Sequence, residues 1–223
     1  MRLVSVILPG PAPREIVYAL DGREPTRASG AERVPSDPST GLLDLVRSAR
    51  GDVICVLGNV DQLSFGFDLL NALLKTQADL ALGSRFLPSS RSSSRAPGSL
   101  RLRAATFACR ALVARLRSVS DPLSPVYVFR KGLIDDGPGR LRDERLLIEL
   151  LGRARLARIV EVPFPDGLNV RGSVRRPKRV LALAGQLLNL LPSHPDNLRA
   201  VRFFAVGGSG VLVNLGGFLM LTS

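Results

Sequence analysis

Few residues of this chain have the chemistry and spacing of a reactive site. The oxygen-bearing side chains Asn59, Asp61 and Gln62 follow directly on the apolar run Asp52 to Leu57, and Arg85 follows another, Asp79 to Leu82. Taken alone, the first group reads as a polar turn after a strand and the second as a surface arginine at a strand end. A single histidine, His194, rules out a His-based metal cluster. Cys55 and Cys109 have neither pairing nor metal spacing, so both read as buried free thiols in a reducing compartment. Basic residues gather at Arg171, Arg175, Arg176, Lys178 and Arg179, ahead of the apolar stretch Val180 to Leu191. A cationic lead followed by apolar surface suits a helix lying in a membrane interface; a core helix with a solvated basic lead is the alternative.

The elements that must position these residues follow from periodicity. With 45% hydrophobic content, 223 residues suffice for one globular domain with a core. Val4 to Leu8 and Ile16 to Leu20 have the length and β-branched content of buried strands. Only Pro9 to Glu15 separates them, whereas a parallel pair needs a crossover of a dozen or more residues. Either the crossover has been deleted or the first run is not in the same sheet. Glu24 to Thr40 reads as an irregular loop, and Pro88 to Ser99, with six serines and two prolines, as a mobile one. Helices are expected at Gly41 to Ala49, Phe67 to Thr76, Leu102 to Leu116 (basic and amphipathic) and Arg142 to Leu156. Further strands are expected at Asp52 to Leu57, Asp79 to Leu82, Val126 to Phe129 and Ile159 to Val162. This alternation predicts an α/β domain with a mainly parallel sheet.

Charge and hydropathy bound the partners and the location. The net charge of +12 comes almost wholly from scattered arginine and favours anionic partners. Aromatics make up 5% of the chain, tryptophan is absent, and no basic segment is interleaved with stacking rings, so nucleic acid is not an expected partner. Leu3 to Leu8 is too short for a signal-peptide core and is stopped by Pro9, Pro11 and Pro13, which predicts a cytoplasmic domain. Phe203 to Leu221 is nearly free of charge and rich in Gly and Ser. Its length at helical rise spans roughly a hydrocarbon core, so a transmembrane helix is expected, with Arg199 and Arg202 marking its cytoplasmic end.

Six short motifs in order resemble a family 2 glycosyltransferase of the dolichyl-phosphate mannose synthase or bactoprenol glucosyltransferase type. They are Val4 to Pro9, Glu15 to Gly22, Ala49 to Leu57, Ala78 to Arg85, Asp121 to Ser124 and Arg158 to Phe164. The tail Arg202 to Leu215 is similar to the first transmembrane helix of GtrA-like membrane proteins. The resemblance implies a GT-A type (Rossmann-like), mainly parallel sheet with flanking helices over residues 1–170, an interface-lying helical segment over 171–198, and a transmembrane helix over 199–223.

The chemistry implied by the resemblance is transfer of a hexose from a nucleotide-sugar to a polyprenyl phosphate. Such enzymes hold Mg2+ or Mn2+ with an Asp-x-Asp-x-Gln motif, and the matching positions here are Gly58, Val60 and Gln62, so both carboxylates are absent. Gln62 remains, and Asp61 with Asn59 could supply displaced oxygen ligands. Arg85 matches a donor-site arginine able to grip a diphosphate in two places. Asp21 matches one of two nucleotide-contacting acids, the other having become Leu20, and Pro9, Gly22, Asn59 and Arg85 are expected beside it at the donor. A late phosphate-contacting motif retains only Gly172 and the basic Arg175. Asp21, Asn59, Asp61 and Gln62 are expected to face one cleft at the strand ends. The alternative to a membrane-bound transferase is an inactive glycosyltransferase-like scaffold that partners a GtrA-like protein; a basic surface binder without a nucleotide site is a third reading.

Overall fold

The structure, a computed structural model, describes residues 2–9, 14–21, 24–33, 41–88, 99–135, 146–153 and 156–165, with Gly185 and Leu187 beyond them. Among the described residues, seven strands form one sheet: β1 (Arg2–Leu8), β2 (Arg14–Asp21), β3 (Glu24–Arg33), β4 (Val53–Val56), β5 (Leu80–Ser84), β6 (Tyr127–Arg130) and β7 (Ile159–Pro163). Their spatial order is β3-β2-β1-β4-β6-β5-β7. β1 pairs in parallel with β4, and β5 with β7, whereas β2 and β6 run against both of their neighbours. The other five strands therefore point one way, but only the β1–β4 and β5–β7 ladders are parallel, so the expected mainly parallel sheet is a mixed one.

The second strand departs from expectation in direction. β2 pairs antiparallel with β1, Leu8 facing Arg14 and Arg2 facing Leu20. The physical reason is the missing crossover: a short connection can close a hairpin but cannot return the chain to start a parallel neighbour. The reversed strand is pinned at its start by Glu15, which is fully buried and accepts hydrogen bonds from Ser5 Oγ (2.7 Å) and the Arg50 N–H (2.9 Å). Gly51 completes this node by donating to Ser5 Oγ, and a Cβ there would lie 2.5 Å from the Ser5 nitrogen, so no other residue fits without moving backbone. Glu24 to Arg33, read from sequence as irregular, is the edge strand β3. Main-chain pairing with β2 outweighs its weak β-propensity, and an edge position at a strand start tolerates Pro25.

Side-chain alternation sorts the core onto two faces. Val53 and Cys55 of β4 join Val4, Val6 and Val128 under α2 (Leu63–Thr76), which buries Phe65, Leu69, Leu70 and Leu73. Ile54 and Val56 join Ile7, Leu80, Leu82 and Phe129 on the other face. There they meet α1 (Leu42–Arg47), α3 (Ser99–Leu112), the 3-10 turn Ala114–Ser118, α4 (Gly132–Asp135) and α5 (Leu146–Arg153). The helix expected over Leu102 to Leu116 thus starts earlier and breaks at Val113. The helix expected from Phe67 starts a turn earlier, at Leu63.

Of the 171–198 segment, Gly185 and Leu187 are described. Leu187 is buried in the second core, so this residue packs on the α/β domain. Phe203 to Leu221 lies outside the described residues. Among those described, no helix is long and apolar enough to cross a membrane.

Both cysteines are buried and neither is in a disulfide, as expected. Burial pushes the Cys55 thiol up to about 12, so it stays protonated and unreactive at neutral pH. A thiol reagent at pH 7.5 should leave Cys55 unmodified in the native protein and label it in denaturant; rapid native labelling would show that this strand opens readily.

Candidate functional site

Ligands of open α/β sheets bind beyond the carboxyl ends of the parallel strands. Here that end is built, strand by strand, from Pro9 after β1, the Leu57–Gln62 turn after β4, and Ser84 with Arg85 after β5. The incoming loop 120–126 ahead of β6 fills the space between the last two. Leu57 N–H bonds to the Ile7 carbonyl and Gly83 N–H to the Val126 carbonyl, which fixes these pieces side by side. Pro125 packs against the position of Gly58, where a Cβ would lie 3.3 Å from the Pro125 Cβ.

The turn after β4 is a 3-10 helix, Val60–Gln62, closed by a reciprocal cap. Gln62 is buried, and its Oε1 accepts from the Gly58 N–H (2.9 Å) and the Asn59 N–H (3.2 Å). Asn59 Oδ1 accepts from the Val60 N–H (2.7 Å), and its Nδ2 donates to Asp61 Oδ2 (2.9 Å). Asn59, Val60 and Asp61 are exposed.

This donor set does not fit the divalent cation implied by the resemblance. A hard cation of this kind wants several oxygen ligands. The Gln62 and Asn59 oxygens already serve main-chain N–H groups, which leaves Asp61 as the one carboxylate on the loop. Among the described residues, no group of three or more His, Cys, Asp or Glu could hold a metal.

The end of β5 carries a second polar assembly. Arg85 is buried, its side chain 2% exposed, against an Asp121 side chain that is 0% exposed. Its Nε donates to Asp121 Oδ2 (2.7 Å), and its Nη2 donates to Asp121 Oδ1 (2.8 Å) and to the Leu123 carbonyl (2.7 Å). The Arg85 main-chain N–H adds a third bond to Asp121 (3.1 Å). The arginine expected to grip a diphosphate thus faces inward and braces the 120–126 loop against β5.

A partly buried carboxylate, Glu161 of β7, supports the same loop. It accepts from the Ser120 N–H (2.8 Å), from the Ser120 hydroxyl and from the Asp121 N–H (3.4 Å). Ser84 Oγ lies within 3.4 Å of Ser120 Oγ. The roles of Asp121 and Glu161 were not read from the sequence. A charged residue in the middle of the apolar strand Ile159 to Val162 was the available signal for Glu161.

Pro9, Asn59, Asp61, Gln62 and Arg85 therefore share one end of the sheet. Asp21 does not. Because β2 is reversed, Asp21 ends beside the start of β1, roughly 20 Å of strand away from the Pro9 end. The expectation that Asp21 faces the same cleft as Asp61 is overturned, for the same reason that the crossover is missing. Gly22 lies outside the described residues.

A mixed sheet of this order, covered by helices on both faces and with its polar turns gathered beyond the parallel strand ends, is an α/β domain that fits the GT-A type. Over 187 residues, 82% of the chain, the sequence is 27% identical to the dolichol-phosphate mannosyltransferase of Pyrococcus furiosus. The chain spans about half the length of that curated relative, 53%. No family model matches the chain. The likeness supports a glycosyltransferase of the family 2 type.

Proposed function

We propose that this chain transfers a hexose from a nucleotide-sugar to a polyprenyl phosphate of the dolichyl type at the cytoplasmic face of the cell membrane. The observation that carries the reading is the extended likeness to a dolichol-phosphate mannosyltransferase on a sheet of GT-A type. In this reaction an oxygen of the lipid phosphate attacks the anomeric carbon. The bond from that carbon to the nucleoside diphosphate breaks, and its electron pair leaves on the diphosphate oxygen. Asn59 and Asp61, exposed at the strand ends, are the side chains placed to meet the donor. Arg85 acts as a positioning residue that holds the loop beneath them. The segment 171–198 and the apolar segment within 199–223 would bring the domain to the bilayer.

A second reading is favoured by a specific observation: Gly58 and Val60 stand where the resemblance calls for metal carboxylates, and Asp21 lies at the opposite end of the sheet. The chain would then be an inactive glycosyltransferase-like scaffold for a GtrA-like membrane partner. Titration calorimetry with nucleotide-sugars, with and without Mn2+, followed by an assay for lipid-linked sugar, separates the two. Binding with transfer supports the enzyme. Binding without transfer, or no binding, overturns it in favour of the scaffold.

A further inference from the structure

Helix α3 presents a face that lies outside the hydrophobic core of the described residues. Its inner side is set by Thr106 and Cys109, both buried. On its outer side Leu100 is 79% exposed and Phe107 70% exposed, with Ala104 exposed between them. Residues at i, i+4 and i+7 line up along one side of a helix, so these three form an apolar stripe about 10 Å long. Arg103 and Arg110 are exposed along one flank of the stripe. Arg115 and Arg117 are exposed on the 3-10 turn that follows.

The charge around this stripe has one sign. Residues 99–119 contain five arginines and no Asp or Glu. Arg110 donates to the Arg117 carbonyl, and Arg117 donates to the Arg110 and Ala111 carbonyls, so these guanidinium groups cap main chain and keep their positive charge at the surface. A protein partner matching this face would need both an apolar ridge and an acidic rim. A bilayer with anionic headgroups offers both together: acyl boundary for Leu100 and Phe107, and phosphates at the depth of the arginines.

We infer that the outer face of α3 docks on an anionic lipid bilayer, Leu100 and Phe107 entering the acyl boundary and Arg103 and Arg110 meeting headgroup phosphates. This contact does not rest on the transferase reading, because a chain without turnover would dock in the same way. It is also separate from the basic and apolar segments beyond residue 170.

The absence of tryptophan makes a local test direct. In the full chain, Phe107→Trp gives a single reporter on the stripe, and Asn71→Trp, at an exposed position of α2 on the other face of the sheet, gives the control. Vesicles of phosphatidylcholine, alone or mixed with phosphatidylglycerol, are added, with brominated lipids as quenchers. The Phe107→Trp emission should move to shorter wavelength and be quenched several-fold more on the anionic vesicles than on the neutral ones. The control should change little. Adding Arg103→Gln should weaken the lipid-dependent signal of Phe107→Trp roughly fivefold, the effect of one basic residue at such a surface. An unshifted Phe107→Trp spectrum on anionic vesicles, equal quenching of the control, or equal response to neutral and anionic lipid would each overturn the inference. A blue shift without lipid that grows with protein concentration would also overturn it and make a second copy of the chain the occupant.

Discussion

Arg85→Ala should lower stability by about 3–5 kcal/mol, the range for removing one partner of a buried ion pair. The Asp121 carboxylate would remain fully buried, with only the Arg85 main-chain N–H still donating to it among the bonds described above. At this chain length the loss corresponds to a fall in melting temperature on the order of 10 °C. Little solvent screening applies, since the side chains are 2% and 0% exposed. Arg85→Lys should fall between the two, because an ammonium keeps the charge but cannot span both carboxylate oxygens and the Leu123 carbonyl. Replacing both members, Arg85→Leu with Asp121→Leu, should recover much of the loss, since no charge is then left unpaired. Thermal or denaturant unfolding reads all three. A loss below about 1 kcal/mol for Arg85→Ala would mean that the arginine is turned outward in solution, where it could reach a phosphate.

The second large effect concerns rate. Losing the charge that offsets a departing diphosphate typically costs about a hundredfold or more. Any transfer by the natural chain should therefore be slow. Val60→Asp restores one carboxylate at a position that is 56% exposed, so the fold should hardly respond. In the presence of Mn2+ this variant should form lipid-linked sugar up to about a hundredfold faster than the natural chain. Asp61→Ala placed on top of it should remove the gain if both carboxylates are needed for the cation. Initial rates with radiolabelled nucleotide-sugar, with and without a chelator, provide the measurement. Brisk transfer by the natural chain that survives Asp61→Ala and ignores chelators would show that cationic side chains alone stabilise the leaving group.

Much of the sheet could be read from the sequence because its central strands are buried on both faces and so are apolar without interruption. The run containing Val53 to Val56 is the clearest case, and the structure places it in the middle of the fold. What periodicity could not supply was direction. Ile16 to Leu20 reads the same whether the strand runs up or down, and the short Pro9 to Glu15 connection was the only sign that it could not be an ordinary parallel neighbour. β3 escaped because an edge strand is held by main-chain pairing and needs no apolar pattern.

For the site, position was legible and engagement was not. Asn59, Asp61, Gln62 and Arg85 do lie at one end of the sheet, after β4 and β5. The Gln62 oxygen caps its own turn through the local Asn59-x-x-Gln62 spacing of a capping box, whereas the inward turn of Arg85 depends on a carboxylate 36 residues away, at Asp121, a partnership that no local spacing reports.

The loop between the 3-10 turn and β6 has one more consequence. Two of its residues are proline, Pro122 and Pro125. Its Ser124 N–H bonds to the Asp121 carbonyl, and the Ser124 hydroxyl donates to the Val126 carbonyl (2.9 Å). Proline narrows the unfolded ensemble, so less backbone entropy is lost when this segment takes up its native path. The same stiffness carries into recognition. A molecule settling between the β4 turn and the end of β5 would meet a floor whose shape is already set, and would forgo much of the ordering cost of roughly 0.5–1.5 kcal/mol for each side chain it would otherwise have to immobilise.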